Sequence, residues 1–256
     1  MSSTIPPEEI FKSYDIRGIY PSELNEQNIV RIVKAVYKFL KQKLPGKKKL
    51  SVGIGRDMRI SSPLLFEAVA KTLVNLGAEV IDVGLVSTPT FYFAVFKNKF
   101  DGGIQISASH NPKEYNGLKL VMLSQGGILK IGKNTGMEDI KKMAIEGLEE
   151  GSKDEGSITK LDNILKDEVE NALKIAGSPK IKEFKVVADC ANAMGATYLE
   201  ALFKKIPGEL VKMNFELDGT FPVHQPDPLQ FETLKDLQKR VIEEKADLGK
   251  KLRHSI

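Results

Sequence analysis

The sequence predicts an α/β protein built as two successive units, each a largely parallel sheet covered by helices. Two observations carry this reading. Short apolar runs alternate with longer amphipathic segments at helical spacing, the pattern of parallel strands joined by helical crossovers. A polar, glycine-bearing interruption at 144–163, "AIEGLEEGSKDEGSITKLDN", then stops the alternation, which begins again beyond it. The boundary falls near residue 155, giving units 1–154 and 155–256.

Taken in order, "NIVRIVKAVYKFLKQKL" (28–44) sets Ile29, Ile32, Val33, Val36, Phe39, Leu40 and Leu44 on one helical face. "LSVGIG" (50–55) is a short buried strand. "SSPLLFEAVAKTLVNLG" (61–77) is a helix with a serine cap, proline in its first turn and glycine at its end. "AEVIDVG" is a second strand, "STPTFYFAVFKNK" a second Ser/Thr-Pro helix and "FDGGIQIS" a third strand. Helices flank the interruption. Beyond it follow strand "FKVVADC", helix "AMGATYLEALFKKI", strand "GELVKMN" and helix "FETLKDLQKRVIEEK". "ADLG" (246–249) opens like another strand, but the charged residues after it are read as not continuing it, so the second unit looks unfinished.

Composition narrows the functional classes. At 256 residues the chain has room for two ordinary domains, and 41% hydrophobic with 28% charged residues is a globular profile. The net charge is only +4. Its densest basic run, "KQKLPGKKKL" (41–50), lacks the arginines and interleaved aromatics of a nucleic-acid surface, so no nucleic-acid partner is expected. No run of about 20 apolar residues and no signal peptide is visible, so no membrane partner is expected either. The single cysteine, Cys190, excludes an internal disulfide and fits a reducing compartment, so a cytoplasmic location is expected.

Several chemistries drop out. Three histidines (His110, His224, His254) and one cysteine offer no zinc spacing. No serine lies in a G-x-S-x-G elbow, and Gly127, Gly132 and Lys133 are followed by Asn134 where a phosphate loop needs Ser/Thr.

"QISASHNPKEYNGLKL" (105–120) remains. Its Asn-Pro and Asn-Gly pairs suit a plain polar turn. Yet Ser109 directly follows a strand, where parallel sheets carry their sites, and hydroxyl, imidazole, amide and ammonium groups crowd around it. Ser109 and His110, adjacent along an extended chain, would point apart and make a poor nucleophile–base pair. Lys119 sits among aliphatics, either as an outward strand residue or as a partly desolvated proton carrier. In "FKSYDIRGIYP" (11–21), Arg17 beside Tyr14 suits phosphate recognition, or else pairs structurally with Asp15 or Asp57. "GRDMRISSP" (55–63) suits anion binding or, more readily, a structural polar network.

Together "FKSYDIRG", "GRDMRISS", "SASHNPKEYNGLK", "VVADCANAMG", "DGTFPVHQPDP" and "ADLG", in that order across nearly the whole chain, resemble the α-D-phosphohexomutases, in their phosphomannomutase/phosphoglucomutase branch. The family's loop usually reads Thr-Ala-Ser-His-Asn-Pro, and here Ser107 replaces the threonine. The resemblance implies α/β/α domains with mixed, mostly parallel sheets: domain I with a phosphoserine loop over 1–154, and a truncated domain II over 155–256. It implies that Ser109 carries a phosphoryl group, interconverting hexose 1-phosphate and 6-phosphate of mannose or glucose through a bound 1,6-bisphosphate. Ser109, His110 and Lys119 would be catalytic, with Lys119 the general acid/base, and Tyr14, Arg17 and Asn111 would bind substrate phosphate.

Mg2+ would be held by the Ser109 phosphate and three aspartates of an Asp-Gly-Asp-x-Asp-Arg loop. In the family that loop follows the strand opening "ADLG". Here the sequence runs "KKLRHSI", and no Asp-x-Asp-x-Asp occurs. By the same resemblance the third and fourth domains would lie outside this sequence, which is expected to correspond to about half a member. A truncated, poorly active mutase is expected. The alternative is a non-catalytic sugar-phosphate- or partner-binding half, completed by self-association or a second chain.

Overall fold

The computed structural model describes residues 4–148, 155–227 and 231–252. Two compact units emerge. The first takes the chain to Asp57, then Ser61–Ala108 and Glu114–Asp162; the second takes Met58–Ile60, Ser109–Lys113 and the chain from Asn163 onward.

The first unit contains β1 (Ile16–Ile19), α1 (Glu26–Lys43), β2 (Ser51–Arg56), α2 (Ser62–Asn75), β3 (Glu79–Leu85), α3 (Thr88–Asn98), β4 (Gly102–Ile106), β5 (Tyr115–Ser124), β6 (Gly127–Lys130), α4 (Met137–Glu146) and β7 (Ser157–Lys160). Among the described residues its sheet runs β1-β5-β4-β2-β3-β7, with β6 on β5. The β4-β2-β3-β7 side is parallel, while β5 pairs antiparallel with β4, β1 and β6. The hairpin β5–β6 and the short β1 are not visible in the sequence alternation, because a two-residue turn carries no crossover helix.

α1 buries Ile29, Ile32, Val33, Val36, Phe39 and Leu40 as the spacing predicts, with Leu44 only partly covered. It starts at Glu26, where Asn25 accepts from the Gln27 and Asn28 N–H groups. α3 starts on the Ser87 side chain, which accepts from Thr90 N–H. α2 is different: Ser61 makes no capping bond, because its hydroxyl is engaged elsewhere. The expected boundary near 155 also moves. Ser157–Lys160 pairs with β3 and extends the first sheet, so the first unit runs on to Asp162.

The second unit contains α5 (Ile164–Ile175), β8 (Lys185–Asp189), α6 (Gly195–Phe203), β9 (Glu209–Met213), α7 (Lys235–Glu243) and β10 (Leu248–Lys251). Its described sheet is three parallel strands in the order β10-β8-β9. The expectation that charge would end the strand after "ADLG" is therefore corrected. Lys250 and Lys251 continue it alongside Ala188 and Asp189, and Lys251 is accommodated there because its ammonium meets the Asp189 carboxylate at 3.2 Å. Val186, Ala188, Cys190, Ala196 and Leu199 form this unit's core, with Phe184 and Phe203 against it. No described helix in either unit is long and apolar enough to cross a membrane.

Candidate active site

β4 ends at Ile106, buried Ser107 and Ala108 follow it, and the chain then turns through Ser109 and His110. Ser109 adopts φ 57°, the left-handed region that side chains other than glycine enter at a cost of roughly 1–2 kcal/mol. Because the chain is not extended here, the neighbours do not point apart as expected. Ser109 Oγ lies 3.4 Å from His110 Nδ1, at the long limit of a hydrogen bond. Ser109 itself is buried.

Arg59 organises this turn. Only 1% exposed, it donates from Nη2 to the carbonyls of Ser109 (2.8 Å) and Asn111 (2.7 Å), and from Nη1 to that of Pro112 (2.7 Å). Asn111 thus meets Arg59 through its backbone. The guanidinium carbon lies 5.2 Å from the centre of the Phe221 ring. A Cβ at Gly219 would fall 2.6 Å from Met58 O and 2.8 Å from Arg59 Cα, so only glycine lets the "DGTF" loop approach the arginine this closely. Sequence reasoning did not single out Arg59. The other arginine of "GRDMR", Arg56, pairs with Asp82 at 3.1 Å and covers Phe66, and nothing in the sequence ranks one above the other.

The first unit carries a second cluster. Asp15 Oδ2 accepts from Arg17 Nη2 at 2.6 Å and from Lys119 Nζ at 3.0 Å. All three side chains are largely covered, at 6%, 22% and 16% exposure. Arg17 stands on β1 opposite Gly117 of β5, and a Cβ at 117 would lie 2.2 Å from Ile16 O. Gly117 is what allows β1 to reach β5 and bring its arginine to the Lys119 strand. Burial, helped by the Asp15 charge, pushes the Tyr92 phenol up to about 12, which keeps it neutral. Tyr14, in contrast, is 84% exposed.

Asn116 and Gly117 were read as part of a turn; they lie in β5 instead. Asn116, fully buried, donates to the hydroxyls of Ser61 (2.8 Å) and Ser62 (3.0 Å), and Ser62 donates to Asp57 at 2.7 Å. This is the structural network anticipated for "GRDMRISSP", and it ties the start of α2 to the strand that carries Lys119.

A third polar cluster, whose Asp189 and His224 lie in the quoted "VVADCANAMG" and "DGTFPVHQPDP" but carry no role in the sequence reading, closes the carboxyl ends of β8 and β10. Asp189, 1% exposed, accepts from His224 Nε2 (2.8 Å), Asn214 (2.9 Å), Ala191 N–H (3.0 Å) and Lys251 (3.2 Å). Burial pushes the Asp189 carboxyl up, but the bonds from His224, Asn214 and Ala191 outweigh it and hold it well below the carboxylate range. The same bond to Asp189 raises His224.

Among the described residues, no group of three or more His, Cys, Asp or Glu side chains is arranged to hold a metal ion. Mg2+ prefers near-octahedral oxygen donors, and the described residues do not fit it.

Comparisons with known proteins bear on both units. The family model described as phosphoglucomutase/phosphomannomutase, alpha/beta/alpha domain I, matches residues 8–146, and its domain II counterpart matches 165–251. A phosphomannomutase of Vibrio cholerae is 36% identical over 244 residues, which cover 93% of this chain and 51% of that protein. A phosphomannomutase/phosphoglucomutase of Pseudomonas syringae is 34% identical over 259 residues, with 96% and 50% covered. The crystal structure of a phosphoglucomutase/phosphomannomutase family protein from Burkholderia thailandensis superposes with a TM-score of 0.82 at 30% identity, with 96% and 52% covered. The chain therefore spans about half the length of the relatives it matches.

Proposed function

The chain belongs to the phosphoglucomutase/phosphomannomutase family, and we propose that it supplies the phosphoserine half of a hexose-phosphate mutase. The substrates are the 1- and 6-phosphates of glucose or mannose, linked through a bound 1,6-bisphosphate. The observation that carries this reading is the Ser109 turn: a hydroxyl shortly after β4, in left-handed backbone, with three loop carbonyls gathered on one arginine.

In the forward half-reaction a sugar hydroxyl oxygen bonds to phosphorus as the phosphorus–Oγ bond of phosphorylated Ser109 breaks. The hydroxyl proton leaves the sugar, and the serine oxygen ends protonated. The reverse step, on the other phosphate of the bisphosphate, restores the phosphoserine. In-line transfer asks chiefly for alignment and for cations facing the moving charge. His110, beside Oγ, serves proton movement at the serine. Arg17 and Lys119 supply positive charge, with Lys119 the acid/base toward the sugar. Tyr14 and Asn111 contribute to holding the substrate phosphate.

The test is direct. The chain is incubated with glucose 1,6-bisphosphate and its intact mass measured, with Ser109→Ala as control; glucose 1-phosphate and mannose 1-phosphate are then assayed separately. One phosphoryl group acquired by the wild type and absent from the control supports the proposal. Phosphoryl acquisition without isomerisation favours a phosphoserine half that needs further chain for turnover. No phosphoryl group on a folded chain refutes it.

A further inference from the structure

We propose that Arg59 is a positioning residue for phosphoryl transfer, locking the Ser109 turn in its left-handed form; this rests on the reading of Ser109 as the phosphoryl carrier. Arg59 touches no reacting atom. It acts through the backbone of residues 109, 111 and 112, whose carbonyls it gathers at 2.7–2.8 Å.

Three physical points support this role. First, a buried guanidinium loses its hydration, and that loss is tolerated only where its N–H groups find acceptors. Here three acceptors, the carbonyls of residues 109, 111 and 112, lie within one five-residue stretch, Ser109–Lys113, so the arginine's own need for partners fixes the shape of the loop. Second, left-handed backbone at a serine relaxes unless its surroundings over-determine it. Charge-assisted bonds to the carbonyls on and beyond Ser109 do so. Third, carbonyl oxygens carry negative charge. Held on the guanidinium, these three are kept from turning toward a phosphate dianion on the serine.

The geometry is specific to arginine. A planar fork with fixed N–H directions reaches three carbonyls from two nitrogens, whereas a lysine ammonium is a single point donor. Phe221, 5.2 Å beneath the fork, holds its plane, and Gly219 brings that ring into place.

The experiment compares the full chain with Arg59→Lys and Phe221→Leu. Glucose 1,6-bisphosphate is the phosphoryl donor, and intact mass reads the rate at which one phosphoryl group is acquired. Hydrogen exchange of the peptide spanning 107–115 reads the loop, and circular dichroism melting reads the fold. We expect Arg59→Lys to melt cooperatively, to exchange faster in that peptide, and to acquire phosphoryl about a hundredfold more slowly, the cost of displacing a reacting group by an ångström. Phe221→Leu, which keeps the fork, should lie between. Free guanidinium should partly restore the rate in Arg59→Ala if that variant folds.

Wild-type rate and wild-type loop exchange in a folded Arg59→Lys overturn the proposal. So does slowed acquisition with an unchanged loop. A wild type that acquires no phosphoryl group, beside a loop loosened in Arg59→Lys, sinks the phosphoserine reading while the clamp stands.

Discussion

Replacing Asp189 with alanine should unfold the carboxyl end of the second sheet. The carboxylate is 1% exposed and is the shared acceptor of a histidine, a lysine, an amide and a backbone N–H, all within 3.2 Å. Its two basic partners are themselves covered, with the side chains of His224 12% and Lys251 6% exposed. Breaking a buried pair from one side costs about 3–5 kcal/mol, because the remaining charge keeps its desolvation cost without its compensation. About 4 kcal/mol is a large part of the total stability of a small domain, typically 5–15 kcal/mol.

The chain contains no tryptophan, so native-state hydrogen exchange is the assay of choice. Peptides covering 185–189 and 248–251 should exchange about a thousandfold faster, at about 1.4 kcal/mol per tenfold, while peptides from β2 and β4 keep wild-type protection. Adding Lys251→Met to Asp189→Ala should recover part of the loss, since it removes one stranded cation. Unchanged protection of 248–251 in Asp189→Ala would refute the reasoning.

Further expectations concern the first unit and pH. Lys119→Met should slow phosphoryl acquisition by Ser109 by about 10²–10⁴-fold, as loss of a proton-transfer group does, with the melt nearly unchanged; a wild-type rate would remove Lys119 from the chemistry. Gly117→Ala would place a methyl 2.2 Å from Ile16 O, so β1 must shift. Faster amide exchange across Ile16–Ile19, with β2 and β3 unaffected, is the expected signature. The second unit should be most stable in mildly acidic buffer. His224 is raised by Asp189, so its contribution is full below its ordinary pKa of 6.5 and is lost as pH rises through the folded value. Asp189 is depressed, so its contribution holds above about 3.8 and fades as pH falls through its folded value. Urea midpoints across pH, with His224→Gln abolishing the upper limb, would test the assignment.

What the sequence revealed and what it concealed follow from how each feature is encoded. α1 was readable because its apolar face repeats every turn, down to Phe39 and Leu40. β10 was not, because Lys250 and Lys251 break an apolar pattern and only the facing Asp189 explains why a lysine belongs there. The Asp15–Arg17 pair was weighed from adjacency, but its third member, Lys119, joins through the register of β1 on β5, which no local pattern records. Arg59 was obscured by Arg56. Arg56 closes β2 and Arg59 lies just beyond it, and the difference between pairing with one carboxylate and gripping a loop appears only when residues 109–112 are folded beside Arg59.

A single oxygen, Asp15 Oδ2, accepts from both Arg17 and Lys119. Two cations converging on one point would repel each other in its absence, so the carboxylate acts as a resident counter-ion that keeps them together. On the proposed reading of Arg17 and Lys119 as phosphate-facing cations, an incoming phosphate would meet an occupied position and would have to exchange with an anion already there. Its net gain is the difference between two attractions. A dianion can win that exchange where a monoanion or a neutral sugar gains little. Added salt weakens both sides of the exchange together. Phosphate retention should thus fall with ionic strength less steeply than two bare cations would predict.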